Sequence, residues 1–103
     1  MNESEHILIC IAEECAEIQK AVSKALRFGL DDRHPNSNQT NKDDLAFEIA
    51  DLLGAIEMAQ DYGIIPDHGE EKIRSHMQAK KENILKFMNY AETGGTLTRQ
   101  HSV

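Results

Sequence analysis

Four carboxylates stand out by their spacing. Glu14 and Glu17 lie three residues apart on a stretch with helical periodicity, and Glu48 and Asp51 repeat that interval further along the chain. At about 100° per residue, Ile18 and Ala25 fall within about 40° of Glu14, and Cys10 lies about 40° to its other side, so Glu14 points into the apolar stripe of its helix. Glu17 sits about 60° away, on the edge shared with Cys10 and Ala21. On the second stretch, Glu48 falls between Leu45 and Leu52, while Asp51 is flanked by Ala55 and Tyr62. Either pair alone is an ordinary feature of a solvated helix face. Both pairs on the apolar side call for a chemical explanation.

An ionised carboxylate buried without a partner costs several kcal/mol, and four facing one another add repulsion of roughly 3 kcal/mol per close pair at an effective dielectric near 20. The two stretches carry too few inward Lys or Arg residues to neutralise such a cluster. A hard divalent cation suits it, since Mg²⁺, or Mn²⁺ in its place, takes oxygen ligands and keeps positions open for water and phosphate. Zinc is disfavoured because no Cys or His pair has suitable spacing. A di-iron bundle would want Glu-x-x-His pairs on core helices, and the one instance, Glu3-x-x-His6, is at the frayed start.

Three helices position these groups. The first runs from about Glu3 to Phe28, with Ile7, Cys10, Ile11, Ile18, Ala21, Val22, Ala25 and Leu26 at helical spacing and Gly29 as the stop. Leu30 to Asn41 has turn chemistry throughout and reads as a loop. The second helix starts near Asn41, which could cap it, with Asp43 and Asp44 in its first turn; Leu45, Leu52, Ala55, Ile56, Ala59 and Tyr62 face inward and Gly63 ends it. After Ile64 to Pro66, Asp67 is read as the N-cap of a third helix, paired with Glu70 in a capping-box-like arrangement. That helix runs to about Ala91, with Ile73, Met77, Ile84, Phe87 and Met88 inward, and a break near its start is left open. No stretch alternates every two residues, so the expected class is all-α: an antiparallel bundle of three to four helices, with residues 1–92 as one domain and 93–103 as a flexible tail.

Composition limits both the core and the partners. With 103 residues, three Phe, two Tyr and no Trp, the core must be aliphatic and modest. Oligomerisation to a homodimer or homotetramer, with the site near a subunit interface, would complete it. A formal charge of −7 argues against general nucleic-acid binding, which needs clustered Lys and Arg to release counterions. The longest apolar run, Ile7 to Ala12, is far short of the roughly 20 residues that span a membrane, and Asn2 to Glu5 lacks the basic start of a signal peptide. Cys10 and Cys15 diverge by about 140° on a helix and are expected to be free thiols, as in a reducing cytoplasm.

Glu13-Glu14-x-x-Glu17 on one helix, followed after a loop by Glu48-x-x-Asp51 on the next, resembles the signature of the MazG-type all-α nucleoside triphosphate pyrophosphohydrolases. That superfamily includes the dimeric dUTP pyrophosphatases and phosphoribosyl-ATP pyrophosphohydrolase. The likeness covers roughly residues 5 to 90 and extends to Ala16-Glu17-Ile18 and to the string from Glu48 to Leu53. It implies hydrolysis of a nucleoside triphosphate, a dNTP or non-standard NTP, to the monophosphate and pyrophosphate. Glu14, Glu17, Glu48 and Asp51 would then bind magnesium, and Glu13 and Glu14 would act on the attacking water. The thirty residues between Glu17 and Glu48 exceed what minimal members use, so substrate preference does not transfer.

The third helix adds polar groups where its apolar line runs. Lys80 falls close to the line of Ile73, Ile84 and Ala91, with Asn83 beside Phe87. The family often carries a Lys, Asn and Arg cluster on its last helix. By that likeness Lys80, Lys81 and Lys86 would reach triphosphate oxygens and Asn83 would hydrogen-bond phosphate or sugar; alternatively, a lysine stem simply passes along the core to put its charge in water. His76 reads as a helix-face histidine, and Arg27, Arg33 and His34 as solvated residues near the loop. Phosphoribosyl-ATP hydrolysis and a non-catalytic acidic helical module that binds a basic partner are the competing functions.

Overall fold

Local hydrogen-bonding chemistry sets the element boundaries in the computed structural model, which describes residues 1–99. Helix α1 spans Glu3–Phe28. The Asn2 side chain accepts from the Glu5 N–H at 2.8 Å, and Glu3 and Glu5 place negative charge against the positive end of the helix dipole. Its stop is Gly29, at φ 101°, whose N–H donates to the Ala25 carbonyl at 2.9 Å. A side chain here would be strained, which is why glycine closes the helix.

The loop that follows is pinned back onto the end of α1. The Asn41 N–H donates to the Asp32 carbonyl and the Lys42 N–H to the Leu30 carbonyl, both at 2.9 Å. The Asn41 side-chain amide donates to the Gly29 carbonyl at 2.8 Å. Arg33 and Thr40 form an isolated bridge, and Lys42 pairs with Asp31 at 2.6 Å.

Helix α2 spans Asn41–Asp61, and its cap is Thr40 rather than Asn41. The Thr40 hydroxyl accepts from the Asp43 N–H at 3.2 Å, while the Asp43 carboxylate accepts from the Thr40 N–H at 3.2 Å. This reciprocal box satisfies two otherwise unpaired donors. Its hydrogen bonds from the Thr40 backbone and side chain hold the Asp43 carboxyl below the usual carboxylate range. Thr40→Ala is therefore expected to destabilise the fold by about 1 kcal/mol, read as a lower urea midpoint with an unchanged slope.

α1 and α2 pack against each other as an antiparallel hairpin. His6 and Ile7, early in α1, line a hollow with Met58 and Tyr62, which lie at the end of α2. At the other end of the hairpin, Ala21 and Lys24 of α1 share a hollow with Asn41 and Asp44. The buried apolar residues between the helices are Ile7, Ala21, Ala25 and Ala59. Three of these are alanines, so little apolar area is removed from water. Several residues read as inward are exposed: Val22 and Tyr62 lie at the surface, and Leu26 is 82% exposed. Helical periodicity marks an apolar face, and within the hairpin α1 and α2 cover only part of each other's.

Contacts group the chain into two compact units, Met1–Pro66, which holds the hairpin, and Asp67–Val103, which holds α3 over Glu70–Thr93. Asp67 does not cap this helix. Its carboxylate accepts from the Gly69 N–H at 2.9 Å, closing a turn, and the helix begins after Gly69, whose φ of 88° lies outside the helical region. Of the residues expected to face inward, Ile73, Met77, Ile84 and Phe87 are exposed and Met88 is half-buried. Beyond Thr93, the Thr96 and Leu97 N–H groups donate to the Ala91 carbonyl at 3.0 and 3.2 Å. The Arg99 guanidinium donates to the Asn89 side chain at 2.8 Å. The tail expected from residue 93 is thus tied to the helix as far as Arg99, and its last four residues lie outside the described residues. Among the described residues the structure is all-helical apart from the single Arg33–Thr40 bridge, and no helix is long and apolar enough to cross a membrane.

Candidate functional site

The hairpin brings together three of the four spaced carboxylates. Glu14 from the middle of α1 and Glu48 and Asp51 from α2 each offer an oxygen, and these three atoms lie within 4.8 Å of one another. Glu14 and Glu48 are half-buried and Asp51 is exposed. Glu17 is not among the three. One turn along α1, it is exposed and lines the adjoining pocket together with Glu48. The two helices therefore bring three of the four acids together, and Glu17 lies to one side of that group.

Electrostatics report the same crowding. The Glu14 carboxyl is pushed above the usual carboxylate range, first by partial removal from water and then by the negative charges of Asp51, Glu48, Glu17 and Glu13 in that order. Among the described residues no cation is paired with these acids: the ion pairs are Lys42 with Asp31 and Arg74 with Glu70. Glu13 is exposed and adds to the field on Glu14 without joining the three.

The cluster opens onto a pocket of about 230 Å³, whose walls include Glu17, Lys20, Lys24, Gln39, Phe47 and Glu48. A second hollow of about 400 Å³ lies beyond it, sharing Lys24 and Asn41 and continuing to Phe28, Arg33 and His34. Arg33 also donates to the Asn38 carbonyl at 3.1 Å, so part of its role is to shape the loop. A wider hollow of about 710 Å³ runs from His68 to Ala79 along the start of α3. It includes His76 but neither acidic pair, and so has no comparable chemistry.

Lys80, Lys81, Asn83 and Lys86 are all exposed on α3 in the second unit. Lys80 does not lie along a buried line, because Ile73 and Ile84 on that line are themselves exposed. Sequence reading passed over Lys20 and Lys24. Their signal was available: two cations four residues apart, beginning three residues after Glu17, share a helix face with one another. Cys10 and Cys15 are free, as expected. No protein-family model, curated protein or solved structure matches this chain.

Proposed function

We propose that this chain hydrolyses nucleoside triphosphates to the monophosphate and pyrophosphate, as a protein of the MazG-like kind. The observation that carries the reading is the convergence of Glu14, Glu48 and Asp51 within 4.8 Å, with no cationic side chain paired to them among the described residues. Three hard oxygen donors from two helices, with repulsion left among them, fit Mg²⁺ or Mn²⁺. Glu17, one turn away, would assist through water or by a change of rotamer. A divalent cation held there supplies charge neutralisation and polarises phosphate oxygens.

The protein's own groups do the rest. A water oxygen bonds to the α-phosphorus as the bond from that phosphorus to the α,β-bridging oxygen breaks, and the electron pair leaves with pyrophosphate. Glu14 accepts the water's proton, with Glu13 as the auxiliary acceptor. No covalent enzyme intermediate is involved. The exposed apolar side chains of the hairpin, Leu26, Phe47 and Leu53 among them, support a homodimer or homotetramer that covers them.

A panel of dNTPs, NTPs and phosphoribosyl-ATP with Mg²⁺ tests the reading directly. Pyrophosphate, not orthophosphate, is expected as the inorganic product, and its release should cease in EDTA. If the protein gains thermal stability with Mg²⁺ but turns over none of these compounds, the acids belong to a binding module and the hydrolytic reading is lost.

A further inference from the structure

We infer that the pocket beside the acidic cluster is a polyphosphate site in which Lys20 and Lys24 hold the terminal phosphoryl groups of the substrate, the part that leaves as pyrophosphate. The assignment rests on the proposed hydrolytic reading for its substrate, and on the geometry of the hairpin for its place. Glu48 belongs both to the carboxylate trio and to the pocket wall, so a phosphate chain anchored at the trio can continue into the pocket. Lys20 and Lys24 come from successive turns of α1 and both line it. Side chains four residues apart on a helix have Cβ atoms about 5–6 Å apart, a spacing that lets two ammonium groups serve neighbouring phosphoryl groups. Neither forms an ion pair among the described residues, although Glu17, Asp44 and Glu48 line the same pocket. The two positive charges are thus held among carboxylates yet uncommitted, available to an anion that brings its own divalent cation.

Lysine suits this task as a compact point charge for phosphate oxygens. It would also favour the reaction, because negative charge grows on the leaving pyrophosphate as the bond to the α-phosphorus breaks. A nucleobase is the weaker fit. Phe47 offers a ring at the wall, but two adjacent ammonium groups answer to charge, which a base lacks.

Calorimetric titration of the full chain with inorganic pyrophosphate in excess Mg²⁺ tests the assignment without needing turnover. The wild type is expected to bind, and Lys20→Ala/Lys24→Ala to bind about thirtyfold or more weakly. Mg²⁺ affinity without pyrophosphate should stay within about twofold, and Lys20→Arg/Lys24→Arg should keep most of the binding, since the charge remains. Lys42→Ala, which removes an exposed cation paired to Asp31, controls for overall charge and should bind as the wild type does. The assignment is overturned if the wild type does not bind pyrophosphate, or if the double alanine variant binds it equally well. It is equally overturned if Lys80→Ala/Lys81→Ala/Lys86→Ala abolishes binding while the α1 pair does not matter, or if a nucleoside without phosphates shows the same dependence on Lys20 and Lys24. Lysine-dependent pyrophosphate binding in a protein that hydrolyses nothing would refute the hydrolytic reading and leave the pocket's assignment standing.

Discussion

Asp51→Ala is expected to lower pyrophosphate release by about a thousandfold or more at saturating Mg²⁺ and nucleotide. Asp51 supplies one of three mutually close oxygens, and two carboxylates on different helices cannot fix a cation in the position that three define. The charge stabilisation a bound cation gives a phosphoryl transfer is worth several kcal/mol, and roughly 1.4 kcal/mol corresponds to each factor of ten in rate. Because Asp51 is exposed, its removal leaves no buried cavity, and helicity should be unchanged. A thermodynamic readout separates loss of the cation from loss of the fold. Mg²⁺ at about a hundred times its dissociation constant should stabilise the wild type by about 2.7 kcal/mol, whereas the variant should gain almost nothing at the same concentration. A variant that retains wild-type turnover would remove Asp51 from the site and with it the proposed chemistry.

The trio was legible in the sequence because it depends on two wheels and one antiparallel pairing. Each helix carries its acids at a three-residue interval, and where the apolar faces meet, acids from the two helices come together. Glu17 shows where that reasoning ends. Its carboxylate lines the neighbouring pocket with Lys20 and Lys24 rather than joining Glu14. Asp51, at the same offset of about 60° from Glu48, does join the trio, so the wheel angle alone does not decide which tip reaches the cluster. That pocket could not be read in advance, since its other wall includes Gln39 from the loop and Asn41 and Asp44 from the start of α2. The return of that loop is held by several ties, among them the Asn41 amide donating to the Gly29 carbonyl, a contact across twelve residues with no periodic signature.

Helix ends were legible where a local rule decides them. Gly29 closes α1 because its backbone takes a conformation that other residues resist. At α2 two polar residues compete for the cap, and Thr40 prevails because Asp43 stands three positions after it and completes the box. At α3 the same motif misled: Asp67 spends its carboxylate on the Gly69 N–H, so Glu70 becomes the first helical residue. The inward face assigned to α3 failed for a different reason. Spacing of Ile73, Met77, Ile84 and Phe87 identifies an apolar stripe, yet a stripe is buried only if something covers it, and these side chains are exposed.

Glu14→Gln is expected to cut turnover by about a hundredfold to ten-thousandfold, as loss of a proton acceptor does, while making the metal-free protein more stable at neutral pH. The second effect follows from the raised pKa. Above its ordinary value of 4.5, the native state holds the Glu14 proton more tightly than the unfolded chain does. Stability contributed by this group therefore falls as pH rises from that value through the folded one, and the whole penalty remains at pH 7. Glutamine keeps nearly the same shape but carries no charge at any pH, so the cost of withdrawing that charge from water and the repulsion from Asp51, Glu48, Glu17 and Glu13 both disappear. In EDTA the variant should melt above the wild type at pH 7, and the gap should close as the pH is lowered below 4.5. Adding Mg²⁺ should reverse the order, because the wild type gains a cation that the variant holds poorly. Thermal melts of the two proteins across pH, with and without Mg²⁺, read all of this at once. If Glu14→Gln melts below the wild type in EDTA at pH 7, neither desolvation nor repulsion penalises the Glu14 charge, and the cluster has no need of a cation.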